Sequence, residues 1–170
     1  MHDNSLDFDQ IVDTNYIHLY RFGLSLTGSE YEASDLVQQT FYLYAKKKDS
    51  IIDKEKTKSW LFTTLYREFL RNRRKLSKML LNEPHLQDKL GSIIEPQCRR
   101  SLDAEMALMA LQKVDTRYRV PLVLYFLQSY SYQEIAEILE VPLGTVTSRI
   151  ARGKEQLRDI AFKKVPKNKQ

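Results

Sequence analysis

Residues 130–158 read YSYQEIAEILEVPLGTVTSRIARGKEQLR, and they contain the most informative pattern in this 170-residue chain. Ser131 is a predicted N-cap with Glu134 three residues later, and apolar side chains recur at helical spacing behind it. Pro142 and Gly144 then predict a break, because neither residue continues a helix comfortably. A second helix follows. Two short helices joined by a tight turn are typical of a helix-turn-helix motif.

The second helix of this motif is predicted to bury one face and to expose a polar, basic face. We expect Thr145 to cap it and Val146 and Ile150 to be buried. The expected DNA contacts are Thr147, Ser148 and Arg152 in the major groove, and Thr145, Arg149 and Lys154 on phosphates. Hydroxyl and guanidinium groups are suited to both kinds of contact. The alternative is an ordinary helical hairpin, which needs no hydroxyls or arginines on its outer face.

Composition excludes several classes of protein. With 29% charged residues and a mean hydropathy of −0.48, the chain has no run near the ~20 apolar residues of a membrane span. Its acidic N-terminus does not resemble a signal peptide. The single cysteine, Cys98, cannot form an internal disulfide or a metal cluster, so a reducing cytoplasm is the expected compartment. We expect no metal, no cofactor and no enzymatic activity, because no nucleophile–base pair or glycine-rich phosphate loop is present.

Charge is distributed in blocks. Residues 1–45 hold one basic and seven acidic residues, whereas residues 46–78 hold twelve basic and four acidic ones. Residues 79–113 are nearly neutral, with four basic and five acidic, and residues 114–170 hold ten basic and six acidic. Two basic blocks separated by a neutral stretch predict two contacts with a polyanion. The acidic start predicts a different partner for the N-terminal part.

Periodicity and the small number of glycines and prolines predict an all-α fold. We expect two small helical domains joined by a linker, the second being a four-helix, winged-helix-like domain that contains the helix-turn-helix. The predicted boundaries are a domain over residues 1–78, a linker over 79–100, a domain over 101–163 and a basic tail over 164–170.

Element boundaries within these domains follow from caps and breakers. The first domain is predicted to contain helices from Phe8 to Leu26, from Ser29 or Glu30 to Leu43 or Tyr44, and from a cap at Ser59, with a loop between Lys46 and Lys58. In the second domain we expect a helix around residues 102–111 and another from Tyr118 to Leu127 with Pro121 in its first turn, and fraying after Arg158.

Three segments resemble a known family. The sequence EASDLVQQTF at residues 32–41 is similar to the segment by which sigma factors of bacterial RNA polymerase, of the small extracytoplasmic-function type, grip the clamp of the largest subunit. The sequence KSWLFTTL at residues 58–65, continuing to Arg74, resembles the helix that faces the −10 promoter element. Residues 130–158 resemble the helix-turn-helix that binds the −35 element. The three segments also occur in the family's order and spacing.

The resemblance implies a dissociable initiation subunit that places core polymerase on a promoter and helps to open it. Its implied partners are core RNA polymerase (the clamp of the largest subunit and the flap of the second-largest), promoter DNA and an anti-sigma factor. It implies two further sets of site residues: Lys58, Trp60, Arg67, Arg71, Asn72 and Arg74 for the −10 element, and Asp35, Leu36, Gln38, Gln39 and Phe41 for the polymerase. The loop at residues 48–58 is implied to capture a flipped base.

The sequence departs from the family pattern at five positions: Gln39, Arg67, Arg71, Thr147 and Glu140. The first replaces a usual glutamate, and the arginines replace usual Asn or Asp residues, which implies a promoter preference of its own. Thr147 replaces a usual cation. Glu140 replaces a usual glycine in the turn, where a left-handed conformation is cheapest for glycine.

Two other functions remain to be weighed. A free-standing helix-turn-helix regulator would need a dimer face or ligand pocket in its N-terminal domain. An interaction module, such as a polymerase-binding antagonist, should lack two DNA-facing helices. The predicted docking face and second basic helix favour the initiation subunit over both.

Overall fold

The chain divides into two compact units, residues 1–95 and 96–170. The structure, a computed structural model, describes residues 4–48, 51, 54–82 and 110–163, and it describes side chains only within 8–160. These residues form helices and contain no strand, as expected for an all-α fold. The predicted helix at residues 102–111 is described only from residue 110, which is helical together with 111 and 112. The predicted basic tail and most of the predicted linker lie outside the described residues.

The first unit contains α1 (Asn4–Thr27), α2 (Glu30–Lys47), a 3₁₀ turn (Lys54–Lys56) and α3 (Thr57–Asn82). The turn between α1 and α2 forms where predicted: Gly28 has a φ of 71°, and the Ser29 hydroxyl accepts a hydrogen bond from the Glu32 N–H at 3.3 Å. Glycine adopts this left-handed conformation without a Cβ clash. The turn therefore reverses the chain and begins α2 with a satisfied cap.

All three helices of the first unit pack against one another around an aromatic and aliphatic core. Phe22 of α1 and Phe62 of α3 are fully buried, with ring centroids 5.3 Å apart. The other core residues are Leu19, Leu24, Leu26, Ala33, Leu36, Val37, Phe41, Tyr44, Leu61, Leu65 and Phe69. This core holds α2 and α3 in fixed relation, so that their outer faces form defined surfaces.

Several predicted boundaries in the first unit were wrong. Helix α2 continues three residues beyond Tyr44, because Ala and Lys are strong helix formers and lysines are favourable at a helix C-terminus. The expected loop is accordingly shorter: it contains a 3₁₀ turn, and α3 begins at Thr57, so Ser59 lies inside the helix and is not its cap. Helix α3 also extends to Asn82, past the predicted domain end.

The second unit contains α4 (Thr116–Gln128), α5 (Tyr132–Leu139) and α6 (Leu143–Lys163). Asp115 caps α4, accepting a hydrogen bond from the Arg117 N–H at 2.9 Å, so this helix begins earlier than predicted. Pro121 therefore lies in the second turn and not in the first. Buried Arg119 ties α4 to the preceding segment by donating to the Gln112 carbonyl at 2.7 Å.

The start and end of α6 also differ from the prediction. Its first turn begins at Leu143, and the Pro142 carbonyl accepts hydrogen bonds from the N–H groups of Thr145 and Val146. Thr145 is thus inside the helix and does not cap it, and Gly144 is helical. Pro142 occupies the position before the helix, where its missing N–H costs little. At the other end, α6 runs past Arg158 to Lys163.

Candidate nucleic-acid and protein interfaces

Helices α5 and α6 form the predicted helix-turn-helix. A complete capping box begins α5: the Ser131 hydroxyl accepts from the Glu134 N–H at 3.3 Å, and the Ser131 N–H donates to the Glu134 carboxylate at 2.8 Å. Glu140 ends α5 in the left-handed conformation, with φ 54° and ψ 46°. The Val141 N–H then donates to the Ala136 carbonyl at 3.1 Å, which closes the turn. The predicted left-handed position is confirmed, and here it holds a glutamate.

The inner face of α6 packs on α4 and α5 through Val146, Ile150 and Gly153, all of which are buried. An ideal Cβ built on Gly153 would lie 2.6 Å from Leu122 Cδ1 and 3.2 Å from the Tyr118 carbonyl oxygen. Glycine is therefore needed where α6 crosses α4 most closely. The sequence interpretation missed this position, since a lone glycine in a helix has no distinctive spacing.

The outer face of α6 has a line of small residues that continues into the exposed Glu155, with cations on both sides. Gly144, Ser148 and Ala151 follow an i, i+4, i+7 spacing and are exposed. Arg149 and Arg152 lie on one side of this line, with Arg149 partly buried. Lys154 lies on the other, together with Thr147 and Arg158, which the sequence interpretation did not include. Small central residues allow a helix to lie close to a nucleic-acid groove, while flanking cations can reach its phosphates.

Two of the three hydroxyls of α6 donate hydrogen bonds within the helix. Thr147 Oγ1 donates to the Leu143 carbonyl at 3.1 Å, and Ser148 Oγ donates to the Thr145 carbonyl at 3.0 Å. Because each hydroxyl proton is used within the helix, the oxygens present lone pairs to the outside. They are thus suited to accept from the amino groups of adenine or cytosine. The remaining α6 candidate, Thr145, is partly buried.

Lys154 also contacts an aromatic cluster on α4. Its ammonium lies 5.5 Å from the Tyr125 ring centroid and 5.3 Å from that of Phe126. Phe126 and the neighbouring Leu127 are 56% and 49% exposed. Adjacent exposed apolar side chains of this kind are a feature of protein-binding surfaces.

Helix α3 carries a basic line on its outer face. Trp60, Arg67, Arg71 and Arg74 are spaced by seven, four and three residues, which aligns them on one side of a helix. The three arginines are exposed, whereas Trp60 is partly buried against Tyr44, with ring centroids 5.9 Å apart. Arg71 forms an ion pair with Glu68. Lys78 extends the same line and was not in the predicted set.

Two members of the predicted −10 set do not lie on this line. Lys58 comes only two residues before Trp60, so the helix turns it to the opposite side. Asn72 lies on the inner side of α3, where it lines a cleft against α2. The family resemblance grouped both residues with the arginines, but the 100° rotation per residue separates them.

The predicted docking surface on α2 is only partly present. Asp35 and Gln38 are exposed and Gln39 is partly exposed, as expected of contact residues. Leu36 and Phe41 are 2% and 7% exposed, which contradicts the expectation that they are apolar anchors at the surface. Both residues are needed in the core, because α2 has to pack against α1 and α3.

Two tyrosines supply the exposed apolar surface of α2 instead. Tyr31 is 83% exposed and Tyr42 is 53% exposed. With Asp35 and Gln38 they follow the spacing i, i+4, i+7, i+11, which forms one straight line along the helix. We call these four residues the α2 line. The Lys46 ammonium lies 4.5 Å from the Tyr42 ring centroid.

Within the described residues, no group of His, Cys, Asp and Glu side chains is arranged to hold a metal ion. The same part of the chain has no helix whose length and apolar character would let it cross a membrane.

Known protein families match both units of the chain. The family model for Sigma-70 region 2 matches residues 11–79, and that for Sigma-70 region 4 matches residues 104–157. The chain is 31% identical over 163 residues to the ECF RNA polymerase sigma factor SigE of Mycolicibacterium smegmatis, with 92% of this chain aligned. It spans 62% of the length of that relative. Identity to the Bacillus subtilis factor SigW is 28% over 162 residues, covering 89% of this chain and 87% of SigW.

A solved structure agrees in fold over both units. The sigma factor RpoE of Bartonella quintana, in complex with the anti-sigma factor NepR, matches with a TM-score of 0.78 and 28% identity. The match covers 94% of this chain and 99% of that one. The chain belongs to the sigma-70 family, among the extracytoplasmic-function (ECF) sigma factors. Proteins of this class direct the initiation of transcription by RNA polymerase and are initiation factors, not enzymes.

Proposed function

We propose that this sigma factor binds core RNA polymerase through α2, reads and opens the −10 element with α3, and reads the −35 element with α6. The observation that carries the proposal is the presence of two separate basic helix faces, one in each unit, together with an acidic and aromatic face on α2. In this proposal the sigma factor itself catalyses no reaction, and it works in the cytoplasm together with the polymerase.

The −35 contact is supported by the outer face of α6. Ser148 and Thr147 present acceptors, and Arg152 can donate to a guanine edge, a contact that discriminates by about 1–3 kcal/mol. Arg149 lies on one side of the line of small residues on α6 and Arg158 lies on the other, and both are suited to contact phosphates. Lys154, held over Tyr125 and Phe126, is positioned on the same side as Arg158.

The −10 contact is supported by the basic line on α3. Closely spaced cations on one helix face repel one another, and a phosphate backbone relieves this repulsion and releases counterions. Trp60 lies at the start of the line. It follows residues 48–58, the segment that the family resemblance implies to capture a flipped base. Base extrusion costs a few kcal/mol, which the contacts of the line help to offset.

The polymerase contact is supported by the composition of the α2 line. Exposed tyrosines around polar groups are typical of the anchor residues of protein interfaces. The carboxylate of Asp35 would be repelled by DNA, which favours a protein partner for this face. We assign the clamp of the largest subunit to the α2 line, and the flap of the second-largest subunit to the patch of Phe126 and Leu127.

An anti-sigma factor is the regulatory partner that we infer. The RpoE structure of Bartonella quintana was solved as a complex with an anti-sigma factor, and this chain shares its fold over almost its entire length. Each unit has exposed apolar residues that such an inhibitor would cover: Tyr31 and Tyr42 in the first, and Phe126 and Leu127 in the second.

The test is binding to purified bacterial core polymerase, followed by run-off transcription on a pool of genomic fragments. We expect tight binding and new, discrete start sites. The variants Asp35→Ala with Gln38→Ala should lower affinity for core, whereas Arg152→Ala should lower promoter use at saturating core. The control variant is Lys113→Ala, because Lys113 is an exposed cation outside all of these surfaces. Sequence-specific DNA binding without core binding would instead indicate a free-standing regulator.

A further inference from the structure

A cleft of about 370 Å³ lies between the start of α2 and the C-terminal half of α3. Its α2 wall carries the carboxylates of Glu32 and Asp35, and its α3 wall carries Arg73. The floor includes Leu36 and Phe69, which are both buried side chains of the core. The cleft thus has an apolar floor between walls of opposite charge.

Arg73 belongs to this cleft and not to the basic line. It follows Phe69 by four residues and precedes Leu76 by three, and both of these residues also line the cleft. The Arg73 guanidinium lies 5.7 Å from the Phe69 ring centroid, which holds it along the wall. Arg74, one residue later, is rotated by about 100° and aligns with Arg67 on the outer face.

The charges of the cleft are available to a partner. Within the described part of the chain, neither the carboxylates of Glu32 and Asp35 nor the guanidinium of Arg73 forms an ion pair. Two acidic groups on one wall disfavour a nucleic-acid occupant, because they would repel its phosphates. Opposite charges on facing walls favour a protein segment that carries both a basic and an acidic side chain.

The cleft is continuous with the α2 line, since Tyr31 and Asp35 belong to both. A polymerase segment that lies along α2 therefore reaches the cleft without a gap. We propose that core polymerase fills this cleft with an apolar side chain on the floor, a cation against Glu32 and Asp35 and an acidic group against Arg73. This inference rests on the proposed function. It adds that α3 contacts two partners: its outer face contacts promoter DNA, and its inner face contacts the polymerase.

Neighbouring arginines provide a matched test. The full-length chain, labelled at its single cysteine, is titrated with core polymerase and followed by fluorescence anisotropy. We expect Arg73→Ala to weaken core binding about tenfold, the usual scale for an anchoring charge at an interface, and Arg74→Ala to change it by less than about twofold. At saturating core, promoter opening should show the opposite pattern, with Arg74→Ala impaired and Arg73→Ala near wild type.

Additional variants separate charge from folding. Arg73→Lys keeps the positive charge and should recover most of the affinity, whereas Arg73→Glu should lose more than Arg73→Ala. Thermal unfolding should be the same for all variants, because both arginines are exposed. A photoreactive side chain at position 76 should cross-link to a polymerase subunit, and one at position 74 to promoter DNA.

The outcomes distinguish this inference from the function on which it rests. If the wild-type chain does not bind core polymerase, both are wrong. If the wild type binds and Arg73→Ala binds equally well, only the assignment of the cleft is overturned, and a different protein, such as an inhibitor, would be its occupant. Equal effects of Arg73→Ala and Arg74→Ala on core binding would also overturn it.

Discussion

Glu140 adopts a backbone conformation that most residues avoid. Its φ of 54° places it in the left-handed region, where a Cβ costs roughly 1–2 kcal/mol relative to glycine. The helix-turn-helix requires this conformation, because the chain has to leave α5 and enter α6 within three residues. The backbone bond from Val141 to Ala136 holds the turn in place.

We therefore expect Glu140→Gly to stabilise the second unit by about 1 kcal/mol in thermal or urea unfolding. Glu137→Gly is the matched control, since it makes the same substitution one turn earlier in ordinary helical backbone. It should destabilise the same unit by about 1 kcal/mol. Loss of stability in both variants would show that the Glu140 side chain contributes more than its backbone conformation costs.

Gly153 provides the second prediction for a single residue. Gly153→Ala would place a methyl group against Leu122, which is fully buried and has little room to move. We expect a loss of about 1–3 kcal/mol in the free energy of unfolding. Gly144→Ala, in the same helix, meets nothing within 4 Å and should stabilise by about 0.5–1 kcal/mol. Similar results for the two variants would contradict the close crossing of α4 and α6.

At the scale of elements, the DNA contact that we propose for the basic line of α3 predicts a dependence on salt. Holoenzyme binding to a promoter fragment should weaken linearly with the logarithm of salt concentration. Arg74→Ala should reduce that slope by about 0.9, because one phosphate contact is lost. Arg73→Ala, assigned to the cleft, should leave the slope unchanged. A reduced slope in both variants would mean that DNA contacts both faces of α3.

Helical periodicity and capping residues made most of the fold predictable. The Thr27–Gly28–Ser29 turn and the capping box at Ser131 depend on local interactions, so the sequence contains the information directly. The boundaries near Ser59, Tyr118 and Thr145 were wrong because more than one residue could cap each helix. Asp115 caps α4, and in the first turn of α6 the Pro142 carbonyl accepts hydrogen bonds from the N–H groups of Thr145 and Val146.

The site was less predictable than the fold, because burial depends on contacts between distant segments. Leu36 and Phe41 belong to a family docking motif, yet packing against α1 and α3 places them in the core. Aromatic side chains are usually largely buried in a folded protein, whereas Tyr31 and Tyr42 are exposed. Asn72 and Arg73 are adjacent in the chain to Arg71 and Arg74 of the basic line but lie on the cleft side of the helix.

At the scale of the whole molecule, charge of opposite sign is divided between separate surfaces. Six of the seven acidic residues of 1–45 belong to α1 and α2, whereas seven of the twelve cations of 46–78 belong to α3. The first unit thus has acidic and basic faces on one core, as our proposed function requires of a unit that lies between a protein and DNA. The second unit adds an independent basic face on α6.

Since α3 and α6, the helices that we propose to contact DNA, lie in separate units, we expect their contributions to be independent. Arg74→Ala and Arg152→Ala should each weaken promoter binding by holoenzyme. The double variant should show the sum of the two free-energy changes to within about 0.5 kcal/mol. The measurement is promoter affinity at fixed salt. A double variant no weaker than the worse single variant would indicate that only one of the two contacts is made at a time.

The close approach of Gly153 to Leu122 limits how α6 can be exchanged. A recognition helix taken from another protein and grafted in place of residues 143–158 would bring its own residue at position 153. If that residue has a side chain, it meets Leu122 and tilts the grafted helix away from its intended register. Positions 122 and 153 therefore have to be transferred as a pair, and we expect them to vary together among chains that share this crossing. Retargeting by helix exchange is thus a two-segment design problem.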